Sequence, residues 1–188
     1  MSLLLLTAFL LQAPGEDAPS PPGPRSGFEA GLAFLRLDPA LGAEDKFVPG
    51  VEVAFFMSKA EPDYSVGMRA YYREWEVTWE EFNQLPADLD GKVQQLGLDL
   101  VVTYPLTGPL KLNVEIGGGG LRLEHDLDEE TAFFFEGGAY LRVDLFAGLF
   151  IEAGGGAFGA LTEFGGQDPD TDHVSWMGRV NVGLELEF

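Results

Sequence analysis

Near its C-terminal end the chain reads DTDHVSW, with His173 and Ser175 two residues apart. A hydroxyl becomes a nucleophile when an imidazole takes its proton and a carboxylate orients that imidazole. On an extended chain the two side chains share a face, and Asp172 and Glu163 are acids nearby in sequence. A histidine and a serine at a wet strand end is the plainer reading. Just before them, Asp168, Asp170 and Asp172 have the spacing of the first ligands of a calcium-binding EF-hand loop. That loop needs glycine at its sixth position and glutamate at its twelfth, where this chain has His173 and Arg179. What is left is a weak divalent site or a solvated acidic loop. Gly154, Gly156 and Gly159 match G-x-G-x-x-G after a strand-like run. A dinucleotide site requires a helix next, and ALTEFGGQDPDTD reads as a loop, so close strand packing explains the glycines better. No cofactor is called for. His125 lies in an acidic stretch and carries no further signal, and the absence of cysteine removes disulfides, thiolate metal sites and a cysteine nucleophile.

Strands must carry these residues. Apolar residues alternate for about ten positions, then Gly, Pro and Asp gather, then alternation resumes. Eight such segments are expected, at about 27–37, 50–58, 64–79, 92–104, 110–122, 132–145, 149–160 and 174–188. The connections near 58–63, 105–109 and 145–148 are short, and those between are longer and mostly acidic. Strict alternation of short and long predicts an antiparallel up-and-down barrel, with all the short turns at one end. The stretches LNVEIGGGG and LFIEAGGGA align Glu115 with Glu152, one hairpin apart.

The chain of 188 residues has room for one such domain. A formal net charge of −20, with only 11 Lys and Arg, argues against nucleic acid as a partner. Residues 1–13 contain an apolar run from Leu3 to Leu11, too short to span a bilayer as a helix. The run reads as a signal peptide, followed by a Pro/Gly-rich linker at 14–26 and a barrel at 27–188. A buried first strand is the alternative for that run.

The two parities differ in chemistry. One carries Val51, Val53, Phe55, Leu96, Leu98, Leu100 and their like; the other carries Glu29, Glu52, Arg69, Arg73, Asp99, Glu115, Glu136, Arg142, Glu152, Arg179 and Glu185, interleaved with glycines. A lipocalin-like secreted barrel would turn the apolar parity inward around a ligand. A membrane barrel turns it outward and keeps a polar lumen. Glycines beside the charges, charges of both signs in mid-strand, and strands long enough to cross a bilayer favour the second. Tyr71, Tyr72, Trp75, Trp79 and Trp176 are then expected in an interfacial girdle.

The closing run VNVGLELEF alternates Val180, Val182, Leu184 and Leu186 up to Phe188. With eight strands and a signal segment, it resembles the small eight-stranded outer-membrane barrels, the OmpA-type transmembrane domain and its OmpX-like relatives. The resemblance implies export through the periplasm to the outer membrane of a Gram-negative envelope, as a monomer among outer-membrane lipid and lipopolysaccharide. It also implies that the barrel-assembly machinery reads Phe188, Leu186 and Leu184, and that the role is structural or surface-interactive, without catalysis. His173 and Ser175 faintly resemble the His-x-Ser of outer-membrane lipid A deacylases, although Trp176 follows where that family has asparagine. A lipid-modifying hydrolase is therefore the alternative within the membrane reading.

Overall fold

The computed structural model describes residues 23–41, 43–82, 85–160 and 173–187. Eight strands occur among them: β1 (Arg25–Arg36), β2 (Val48–Ala60), β3 (Ser65–Phe82), β4 (Leu85–Thr107), β5 (Leu110–His125), β6 (Asp128–Asp144), β7 (Leu149–Ala160) and β8 (His173–Glu187). Each pairs antiparallel with the next, and β8 closes on β1. Closure satisfies the backbone groups that an open sheet would leave bare at its edges.

Following paired residues around the barrel shows its stagger. From Val143 on β6 the path runs through Ile151, Val182, Ala30, Val53, Tyr72, Leu96 and Gly120, and returns to β6 at Phe133. A shift of about ten residues over eight strands corresponds to a strand tilt of about 40°, given ~3.3 Å per residue and ~4.8 Å between strands. Connections 61–64, 108–109 and 145–148 lie at one end, hereafter the turn end. Gly108 and Gly148 adopt φ of 53° and 80° there, a conformation that glycine enters without a Cβ penalty.

At the opposite, loop end the chain departs from expectation. Residues near 80–91 and 123–131 were expected as long loops. Instead β3 continues to Phe82 and β4 starts at Leu85, while β5 and β6 are joined by Asp126 and Leu127 alone. Asp88, Asp90, Glu124 and Glu129 continue the outward parity of the period of two, so they extend strands instead of breaking them. Between β1 and β2 a short 3₁₀ turn, Pro39–Leu41, folds over the barrel. Arg25 and Ser26, expected in the linker, are the first residues of β1, opposite Ser58 and Met57. The expected signal peptide (1–13) and the linker up to residue 22 lie outside the described residues.

Both faces change character at one level. On β3, Met68 and Tyr72 face outward while Arg69 and Arg73 are buried inside; four residues on, Glu76 faces outward while Trp75, Val77 and Trp79 are buried. The level is shared, because the row Tyr72–Leu96–Gly120–Phe133 is followed by the row Glu74–Gln94–Arg122–Thr131. Towards the turn end, outward side chains form an apolar band. On β6 it spans Phe133 to Val143, about 25 Å at this tilt, the height of apolar band that membrane barrels present. Phe133 and Phe135 are 82% and 78% exposed. Beyond the band, β3 and β4 project about 20 Å further as a ribbon with a charged outer face.

Candidate functional site

The period of two sends every second residue of each strand into a lumen too narrow to stay empty. Of the eleven residues expected there, Glu29, Glu52, Arg69, Arg73, Asp99, Glu115, Glu136, Arg142, Glu152 and Arg179 are buried, and Glu185 is half-buried at the turn end.

Three guanidiniums organise the centre. Arg69 donates to Glu29 and Glu52, and Arg73 donates to Glu52, Glu136 (2.7 Å) and Gln95 (3.2 Å). Arg179 grips Glu115 with both terminal nitrogens, at 2.7 and 2.6 Å, and donates from Nε to Glu152 at 3.0 Å. Asn113 and Asn181 donate to Glu152 and Glu52. Such bidentate, charge-assisted bonds are the kind that offset the desolvation of buried ions. Aromatic faces complete the packing: Arg73 lies 3.8 Å from the Tyr71 ring centroid and Arg179 3.6 Å from that of Tyr140. Asp99 differs from the rest. Its nearest countercharge is Arg69 Nη1 at 3.7 Å, and neither oxygen accepts a hydrogen bond among the described residues. Gly117 lies beneath it, and a Cβ there would strike Asp99 Oδ1.

Towards the turn end Arg142 pairs with Asp144 (2.7 Å) and Glu185 (2.8 Å), Arg25 with Glu185 (3.0 Å), and Lys111 with Asp144 (2.5 Å). A recess of about 40 Å³ opens among these residues and reaches Glu29, Arg69 and Glu115. It has room for about three waters.

Towards the loop end the lumen is sealed by an apolar core that includes Leu35, Leu41, Trp75, Trp79, Leu121 and Phe134. Trp75 donates its indole N–H to the Ala33 carbonyl at 3.2 Å. These indoles overturn the expected girdle: Tyr71, Trp75 and Trp79 point inward and are buried, whereas Tyr72 and Trp176 lie on the outer face. The signal was present in the sequence, since Trp75 and Trp79 share parity with Arg69 and Arg73.

Ser175 is buried on the inward parity of β8, and its hydroxyl accepts the Asp38 backbone N–H at 3.0 Å. The Asp38 carboxylate in turn accepts the Val174 N–H at 3.1 Å. Together these bonds hold the start of the β1–β2 connection against β8, continuing the β1–β8 seam. His173 starts β8 opposite Ala160. Its side chain, and residues Glu163, Asp168, Asp170, Asp172 and Phe188, lie outside the described residues. Gly154, Gly156 and Gly159 lie within β7, paired to β6 and β8, and form no phosphate-cradling turn.

No protein-family model matches the sequence, and no curated protein sequence matches it. Solved structures do. Ail, the attachment invasion locus protein of Yersinia pestis, crystallised with the heparin analogue sucrose octasulfate, superposes with a TM-score of 0.59 at 13% identity, over 87% of this chain and 99% of Ail. A major outer membrane protein from Thermus thermophilus gives 0.55 at 13%, over 87% and 99%. Neisserial surface protein A gives 0.54 at 11%, over 90% and 100%. The chain has the fold of the small eight-stranded outer-membrane barrels. At such identities the likeness concerns the barrel itself. The lumen of this outer-membrane-type barrel is described by its own residues: charged across the apolar band, hydrocarbon-filled above it.

Proposed function

We propose that the chain is an integral outer-membrane protein with a structural or surface-interaction role. The observation that carries this reading is the match between the outer apolar band and a lumen packed with side chains apart from one small turn-end recess. A band of about 25 Å calls for hydrocarbon around it, while ion pairs at the centre and Trp75 and Trp79 towards the loop end fill the lumen above a turn-end recess of only about 40 Å³, which argues against a path for solutes. The turn end then faces the periplasm and the projecting ribbon faces outward, among lipopolysaccharide. Outward Val180, Val182, Leu184 and Leu186 on β8 support recognition by the barrel-assembly machinery. Deleting Phe188 should impair insertion and leave export intact.

The ligand of Ail does not carry over readily. On the outer face of the ribbon region, Glu76, Asp90, Glu124 and Glu129 outnumber Lys92 and Arg122, and Arg122 is paired to Glu124 and Glu129 at 3.0 Å each. A polyanion would be repelled there.

Fractionation followed by planar-bilayer recording tests the reading. The protein should stay with membranes through alkaline and urea washes and produce no stepwise conductance. Solubility without detergent would favour a lipocalin-like barrel instead. Steady porin-like steps would refute the closed lumen.

A further inference from the structure

We propose that the β5–β6 turn at the loop end is an acid-sensitive element, held closed by the neutral imidazole of His125 and loosened when that imidazole gains a second proton. His125 is the last residue of β5 and is buried. Its ring stands edge-on to Trp79, with centroids 5.5 Å apart at 64°. Its Nδ1 accepts the Leu127 backbone N–H at 3.1 Å, across the turn. Accepting there requires a lone pair on Nδ1, so the ring proton belongs on Nε2. A doubly protonated ring would aim an N–H at the Leu127 N–H, two donors facing each other, and the turn would lose this side-chain bond, leaving the His125–Asp128 ladder pair to hold its ends.

The surroundings set the direction. Burial lowers the affinity of His125 for its second proton, against the smaller opposing pull of Asp128 and Asp126. Asp128 is its partner across β6, and Glu130 follows on the same inward parity. On β4 its partner is Gly91, flanked by outward Asp90 and Lys92; on β3 it meets Trp79, flanked by outward Thr78 and Glu80. Glu76, Asp90, Lys92, Glu124 and Asp126 line a groove that reaches the imidazole from outside. Closed, the turn holds a neutral ring against an indole; open, it releases an imidazolium among carboxylates and water. The proton affinity is thus higher when the turn is open. Closure is fully stable above the ordinary imidazole range and weakens as pH falls through the lowered value of the closed form. The segment set free carries Leu127, which is exposed between two aspartates.

The test uses the full chain folded in detergent micelles, followed by NMR and amide exchange. The His125 imidazole and the Leu127 amide should titrate together with one midpoint below the ordinary histidine value. The exchange protection of Leu127 should fall about fivefold between neutral and mildly acidic pH, the scale of one net hydrogen bond. His125→Gln keeps an acceptor but does not titrate, so its Leu127 protection should stay flat. A Leu127 amide that ignores the imidazole titration overturns the proposal, and so does a midpoint at or above the ordinary value. An equal loss of protection in His125→Gln also overturns it, by assigning the effect to the aspartates. If that variant fails to fold, the paired titration in the unsubstituted chain decides.

Discussion

The middle of the barrel and its loop end are built from the same strands, with the same period of two, yet they are inside-out versions of each other. Around Arg69, Arg73 and Arg179 the wall is apolar outside and charged inside; around Trp75, Trp79 and Leu121 it is charged outside and apolar inside. The switch takes one step along β3, from Tyr72 to Glu74 on the outer parity. The difference fits the surroundings that the proposed membrane placement gives each level. Where hydrocarbon lies outside, burying more hydrocarbon inside gains nothing relative to the bilayer, and the narrow lumen is held by directional ion pairs. Where water lies outside, the hydrophobic effect returns and the barrel packs like a soluble domain.

The largest break in this contrast should come from Arg179→Ala, which leaves Glu115 and Glu152 without their guanidinium in the narrow lumen. A loss of about 3–5 kcal/mol is expected in reversible unfolding from lipid bilayers, the cost of removing one partner of a buried ionic group. Next is Leu98→Arg, on the outer face at mid-band, which should cost about 2–4 kcal/mol for a cation near the bilayer midplane. A spin label at 98 should be quenched by lipid-soluble reagents; one at 78 should answer only to water-soluble ones. Exchange of those two behaviours would invert the assignment of faces. Ser175→Ala removes the acceptor of the Asp38 N–H and should cost about 1 kcal/mol. It should speed amide exchange at Asp38 without affecting the lumen. Any lipid hydrolysis lost with that hydroxyl would revive the catalytic reading. The smallest effect is expected from Thr78→Arg, beyond the band on the outer face, within about 0.5 kcal/mol of zero. A penalty near that of Leu98→Arg would mean that the apolar environment extends to the ribbon.

The sequence revealed the barrel because parity is robust. A lumen-facing Glu29 or Arg179 is fixed by its neighbours on either side, whichever strand it later meets. Which cation meets which carboxylate was not legible, since pairing depends on the stagger: Asp99 is opposite Arg69 only because β3 and β4 adopt this register. The strand ends were misjudged for a different reason. Asp90, Glu124 and Glu129 look like loop residues to a reader who assumes one polarity rule for the whole strand. Above Tyr72 the rule reverses, and those acids continue the alternation on the wet side. The same reversal explains the misplaced indoles. Trp75 and Trp79 suit an interfacial belt by type, but their parity sends them inside.

The seam between β1 and β8 bears on how the molecule is made. It runs from Arg25 opposite Glu187 to Arg36 opposite Trp176, joining the first and last strands, and Arg25 and Glu185 bridge it at 3.0 Å. All other pairings join strands adjacent in sequence and can form early, but this one must wait for the longest loop closure the chain offers. Until it forms, both outer strands leave N–H and C=O groups bare, and in the proposed bilayer setting each of these would be costly. Assembly should therefore run as a slow, late-committing event with few stable half-barrels, and its rate should respond most to changes in the Arg25–Arg36 and His173–Glu187 pair.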